Sequence, residues 1–277
     1  MAYNPRQKLS DNIRAIDVAL RFKEGAKVNA DDLGLLERYA GFGGLKAILY
    51  PYGPKEEWEK LGASKADMGL HEDFQKLHEL LKTHLDEQTY NQAVASLKNS
   101  VLTAFYTPEV VPQALFDVLK KQGIHPESVY EPSAGAGVFV KEATKAFPKI
   151  QHITAVEKDL VSGYVLQARA SRLKVDKTIH VSGLEQTSEN ESGRFDLVTS
   201  NIPFGNFQVH DPAFPSQING KIHNYFFAKG LEKLKNGGLL AYITTDAFLN
   251  SPSNKGAREY LFGQADFVSL TVMPDSL

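Results

Sequence analysis

Ser128-Val-Tyr-Glu-Pro-Ser-Ala-Gly-Ala-Gly-Val-Phe139 decides the fold. A short apolar run ends on an acidic residue. It breaks at a proline and two nearly adjacent glycines, then reopens as a run with helical spacing. That is a strand, a tight turn and a helix. Gly135 and Gly137 allow a left-handed backbone and a close ligand approach, and the helix opening at Val138 presents unpaired N–H groups. The same alternation continues downstream, with strands expected over 128–130, 152–156, 178–181, 195–199, 239–244 and 267–272. Helices are expected over 108–122, 138–146, 160–173, 225–234 and 255–263. Such alternation means βαβ units and a doubly wound α/β sheet, mostly parallel. Right-handed crossovers then put the ligand crevice at the strand C-termini.

Upstream the pattern changes. Over 1–100 it is helical, with Leu9, Ile13, Ile16 and Leu20, and again Phe74, Leu77 and Leu81, at helical spacing. Tyr39-Ala-Gly-Phe-Gly-Gly-Leu45 marks a tight loop anchored by Phe42 and Leu45. The chain therefore divides into a helical N-terminal region, 1–100, and an α/β domain, 101–277.

Composition narrows the function classes. Zero cysteines exclude disulfides, thiolate metal sites and a cysteine nucleophile, and fit a cytoplasmic protein. His71, His78 and His84 lack the spacing of a metal pair, so no metal is expected. No apolar run reaches a membrane span of roughly 20 residues, so no membrane is expected as partner. A net charge of −2 argues against broad phosphate neutralisation. Nucleic-acid binding would rest on patches such as 169–174 and 229–235.

The chemistry-bearing residues stand at strand ends. Glu131 leads the glycine turn, and an acid there suits an amine or hydroxyl more than a pyrophosphate. The three-glycine dinucleotide fingerprint is incomplete. Glu157, twenty residues past Gly137, sits where a carboxylate accepts from ribose hydroxyls, though strand-end glutamates are common. Asn201-Ile202-Pro203-Phe204 closes the strand that begins at Phe195. An Asn amide and a free carbonyl can accept from an exocyclic amine, and Phe204 can stack on a base. An ordinary Pro-stiffened turn fits the same four residues. His223, Asn224 and Tyr225 follow a long loop and are candidates for substrate contact, or for a simple helix start.

These motifs carry a resemblance. Glu131-Pro132-Ser133-Ala-Gly135-Ala-Gly137 resembles the S-adenosyl-L-methionine-binding motif of Rossmann-like class I methyltransferases, in the form found in amino-group DNA methyltransferases. Asn201-Ile-Pro-Phe204 resembles their catalytic Asn-Pro-Pro-Tyr/Phe, with Ile202 replacing a proline. Phe105-Tyr-Thr-Pro108 resembles a third motif of the N6-adenine enzymes. Together with Gly41-Phe-Gly-Gly-Leu45, Gly183-Leu-Glu185 and Ile222-His-Asn-Tyr-Phe226, these look like the methylase region of large methylase–helicase proteins. Phages, plasmids and conjugative elements carry such proteins, and some of them serve in antirestriction.

The resemblance implies methyl transfer to adenine N6 in DNA, with a helicase-like partner domain on the same longer polypeptide. Tyr106, Thr107 and Pro108 would line the methionine end. Glu131, Pro132, Ser133, Gly135 and Gly137 would hold the amino-acid and sugar region, and Glu157 the ribose. Glu185 stands where relatives place a cofactor-binding Asp, or is a solvated loop residue. Asn201 Oδ1 and the Ile202 carbonyl would accept the two N6 hydrogens. Class I enzymes usually carry a seventh, antiparallel strand, so a chain ending after its sixth reads as cut from a longer protein. Two other readings stay open: protein-glutamine methylation, and a degenerate methyltransferase-like module that binds DNA or a partner.

Overall fold

The computed structural model describes residues 4–103, 107–187, 189–205 and 208–273. The helical region holds α1 (Pro5–Lys23), α2 (Ala30–Glu37), α3 (Lys55–Lys60), α4 (Lys65–Met68), α5 (His71–His84) and α6 (Glu87–Thr103). Then follow α7 (Val110–Lys121), β1 (Ser128–Glu131), α8 (Val138–Ala146), β2 (His152–Glu157), α9 (Leu160–Ala170), β3 (Asp176–Val181) and β4 (Phe195–Asn201). The chain continues through α10 (Ser216–Asn219), α11 (Ile222–Lys233), β5 (Leu234–Ile243), α12 (Ala247–Asn250) and α13 (Lys255–Phe262). None of the described helices is long and apolar enough to cross a membrane.

The five strands form one all-parallel sheet in the order β3-β2-β1-β4-β5. Side chains alternate across it. Val129, Ile153, Ala155 and Leu197 pack under Phe116, Phe139, Val140 and Leu166 from α7, α8 and α9. Tyr130, Val156 and Val198 face the other way, against Tyr225, Phe226 and Ala228 of α11. The inner strands β1, β2 and β4 are thus buried on both faces, which is why their residues read as apolar runs, while the edge strands β3 and β5 are only half-buried. The regular part of β5 begins at Leu239, as expected. Lys235–Gly238 bulge out between the pairs Phe195↔Leu234 and Leu197↔Leu239.

The helical region packs on the same side as α9. Val161, Tyr164, Val165 and Ala168 of α9 join a core with Leu9, Ile16, Leu20, Leu36 and Phe42. Being covered by the sheet on one side and by α1 and α2 on the other, α9 buries eight of its eleven residues. The glycine loop is pinned as its sequence implied. Phe42 and Leu45 are buried, and Asn12 Nδ2 donates to the Gly41 carbonyl at 2.7 Å while its Oδ1 accepts from Ala40 N at 2.9 Å.

One expected element is corrected. The stretch 267–272 forms no strand, and the sheet ends at β5 among the described residues. Phe267, Val268, Leu270 and Val272 are exposed. Alternation supplies a face to bury, but a strand also needs a ladder partner for its N–H and C=O groups. This stretch has none.

Close packing of α9 on β3 gives a test. A Cβ built on Gly163 would lie 2.5 and 2.9 Å from the two γ-carbons of Val181, a β-branched side chain held in a strand. Gly163→Ala should therefore destabilise the protein by about 1–2 kcal/mol despite the helix propensity of alanine. In urea titrations, Gly163→Ala combined with Val181→Ala should fall well short of the sum of the single effects. Strict additivity would contradict the contact.

Candidate active site

β1 and β4 lie side by side, yet the segments after them leave to opposite faces. β1 leads into α8 on one face, and β4 into the loop and α11 on the other. The C-terminal ends of these strands open a cavity of about 1160 Å³. That exceeds the roughly 300–1,000 Å³ usual for one small-molecule site.

The glycine turn forms one wall. Ala134 N–H donates to the Val156 carbonyl at 2.8 Å, and Gly137 N–H to the Ala134 carbonyl at 2.7 Å. Gly135 and Gly137 both have positive φ, 55° and 86°, as the sequence required. At Gly137 a side chain is excluded on a second ground: its Cβ would lie 2.6 Å from Leu166 Cδ1. Glu131, Pro132, Ser133 and Gly135 line the cavity. Gly137 does not; it turns the chain into α8 beside a smaller cavity of about 200 Å³.

Two carboxyl groups face each other across this turn. Glu131 is buried, and its Oε2 has no hydrogen-bond partner. Burial, with the Glu157 charge second, holds its carboxyl well above the usual carboxylate range. Glu157 accepts the Gly135 N–H on Oε2 at 2.6 Å and the Asp159 N–H on Oε1 at 2.7 Å. Burial and then the Asp159 charge push it up to about 7, against the pull of those N–H groups. Each Glu157 oxygen keeps a further acceptor position, so the carboxylate closes the turn and still offers itself to the cavity.

The opposite wall is Asn201-Ile202-Pro203-Phe204, all four of which line the cavity. Asn201 Nδ2 donates to Thr107 Oγ1 at 2.9 Å. Its Oδ1 is buried with no partner. The amide is thus oriented with its acceptor spare. Ile202 is fully buried, and its N–H donates to the Ile243 carbonyl at 3.1 Å. A proline could not make that bond. Ile202 therefore exchanges ring stiffness for a ladder hydrogen bond, and its side chain packs in the core.

Thr107, Pro108 and Glu185 also line the cavity. Tyr106 lies outside the described residues, as does Phe105. His223, Asn224 and Tyr225 do not reach the cavity. On α11 it is their neighbours Ile222 and Phe226 that line it. Tyr225 is buried and donates to Asp211 Oδ2 at 2.9 Å, and His223 Nε2 lies 3.2 Å from Asn254 Nδ2. The helical period puts residues 222 and 226 on one face and 223–225 on the others, and the position after a loop could not show which face turns inward.

The sequence missed a wall. Gln92, Ser96 and Asn99 of α6, with Tyr39, line the cavity as well. Asp159 and Gln208 line it too. Polar residues at i, i+4 and i+7 on α6 were the available signal, but a solvated face gives the same pattern.

The Glu157 carboxyl sets a pH test. Raised in the folded chain from the usual 4.5 to about 7, it favours folding at low pH, and that contribution is lost as pH rises through about 7. In the cofactor-free protein, the stability advantage of wild type over Glu157→Gln should shrink between pH 5 and pH 8 in chemical denaturation. A difference that is constant, or that grows with pH, would contradict the buried setting of this carboxyl.

Comparison with known proteins agrees with this geometry. The chain is 28% identical over 179 residues to the Defense against restriction protein B of Escherichia phage P1. That match takes in 62% of this chain and only 7% of the phage protein, so the chain spans a small part of that relative. In fold it is similar to the type I restriction-modification system methyltransferase subunit from Streptococcus thermophilus. That structure matches with a TM-score of 0.50 and 14% identity, over 94% of this chain and 72% of the other. Residues 77–275 match the model of the Eco57I restriction-modification methylase. The chain belongs to the Eco57I restriction-modification methylase family, and S-adenosyl-L-methionine is its cofactor.

Proposed function

We propose that this chain methylates the N6 amino group of adenine in DNA, as one part of a longer polypeptide that counters restriction. The observation that carries the proposal is the Asn201 amide. Thr107 holds its Nδ2, and Oδ1 is left as a buried, unpartnered acceptor at the cavity wall. Leaving such an atom unpaired costs about 1–3 kcal/mol, which an incoming N–H returns. An exocyclic amino group presents two hydrogens in a plane. Asn201 Oδ1 would take one and the Ile202 carbonyl the other, aiming the nitrogen lone pair at the methyl group. Phe204 would stack on the base, which favours a planar purine over a glutamine side chain.

The cofactor fits the residues present. Glu131 offers a buried carboxyl with a spare oxygen to an ammonium group. Glu157 offers its remaining acceptor positions to ribose hydroxyls, and Thr107 and Pro108, which line the same cavity, would border the methionine end. Ser133, Gly135 and Glu185 complete the wall around it. S-adenosyl-L-methionine supplies an electrophilic methyl group on a sulfonium. The chain needs no nucleophile for this: it positions the groups, excludes water and places acceptors where positive charge develops. A cavity of this size has room for a cofactor and a base side by side, and an adenine in duplex DNA would have to be flipped to enter. The replacement at Ile202 leaves the acceptor carbonyl in place, which argues against a degenerate site.

Incubation of the full chain with methyl-labelled cofactor and unmethylated DNA should label adenine N6, identified after digestion to nucleosides. Asn201→Ala should lower the transfer rate by about 10²–10³-fold and leave cofactor affinity near wild type. Label on cytosine or on protein, or cofactor binding with no transfer to any DNA, would overturn the proposal.

A further inference from the structure

Ser96, on α6 of the helical region, reaches across to the start of α9. Its hydroxyl donates to Asp159 Oδ2 at 2.5 Å and accepts the Leu160 N–H at 3.0 Å. Asp159 in turn caps α9, its Oδ1 accepting the Ser162 N–H at 2.7 Å. Its own N–H donates to Glu157 Oε1 at 2.7 Å. A hydrogen-bonded chain therefore runs from α6 through Asp159 to Glu157, and all three residues border the same cavity.

We propose that Ser96 is a positioning residue for the cofactor, acting through Asp159 to fix the direction in which Glu157 presents its spare acceptor positions. This rests on the placement of the cofactor ribose at Glu157. The direction of those positions depends on where the Asp159 N–H lies. That N–H belongs to a short link between β2 and α9, and Ser96 grips the link twice, at the Asp159 side chain and at the next backbone N–H. Removing the hydroxyl leaves both groups without that partner at once. A plain tether between the helical region and α9 already exists one turn on, where the Tyr39 hydroxyl lies 3.0 Å from Ser162 Oγ. Ser96 differs from it in bonding directly to the residue that holds Glu157. The helical region is thereby a part of the cofactor site and not a separate cover.

The test uses Ser96→Ala, Ser96→Thr, Glu157→Gln and Leu77→Ala in the full chain. Leu77 is fully buried in the helical core and away from the cavity, so its truncation lowers stability without touching the link. Three quantities are measured: S-adenosyl-L-methionine affinity by calorimetry, amide exchange over 157–162 in the cofactor-free protein, and the melting temperature. Ser96→Ala should weaken cofactor binding about tenfold, since a hydrogen bond to a charged group is worth that much. It should also speed amide exchange at 159–162. Ser96→Thr should restore affinity, and Leu77→Ala should lower the melting temperature without changing affinity. Wild-type affinity in Ser96→Ala, or an equal loss in Leu77→Ala, would overturn the role of Ser96 and leave the ribose placement standing. Wild-type affinity in Glu157→Gln would overturn the ribose placement, and the role of Ser96 with it.

Discussion

Parallel strands β1 and β4 end side by side, and the chain leaves them toward opposite faces of the sheet. That divergence opens the crevice on which everything else in the molecule depends. A crevice formed this way lies over strand ends, so residues there cannot bury their side chains in either layer. Glu131 and Asn201 occupy those two ends. Both carry a buried oxygen with no hydrogen-bond partner. Burial without partners is destabilising, and the sheet offsets it by covering its inner strands β1, β2 and β4 on both faces.

The two orphaned oxygens differ in kind. The Asn201 amide is neutral and held in one orientation by Thr107, so its acceptor is ready before any substrate arrives. The Glu131 carboxyl sits against Glu157 in a buried turn, where burial and like charge favour its protonated form. In the proposed placement, the ammonium group of the cofactor would reverse that balance, so cofactor binding and proton release would be linked at this end of the cavity. The helical region enters the same system from the side. Its α6 contributes a wall, and its Ser96 touches the residue that holds Glu157.

Much of this was legible in the sequence because the decisive features are local. The strand–turn–helix around Glu131 needs glycines at set positions, and the strand ending at Asn201 is a continuous apolar run. Both signals survive without knowledge of the tertiary fold. What was not legible depends on distant partners. The run 267–272 has the alternation of a strand, yet pairing is a property of two segments. Residues 223–225 stand next to the cavity in sequence, but the rotation of α11 turns 222 and 226 inward. Gln92, Ser96 and Asn99 have the spacing of a solvated helix face, and only the packing of α6 beside α9 shows what they border. Ile202 read as a lost proline, and only its hydrogen bond to Ile243 shows what replaces the ring.

The central claim is that the spare Asn201 acceptor receives an amino hydrogen of the target. It is tested most directly by a crystal structure of the chain with a non-reactive cofactor analogue and a short adenine-containing DNA. The account predicts an extruded adenine against Phe204. Its N6 should lie about 2.7–3.2 Å from Asn201 Oδ1 and from the Ile202 carbonyl, with Nδ2 still on Thr107. An adenine bound elsewhere, or Asn201 turned so that Nδ2 faces the base, would contradict it.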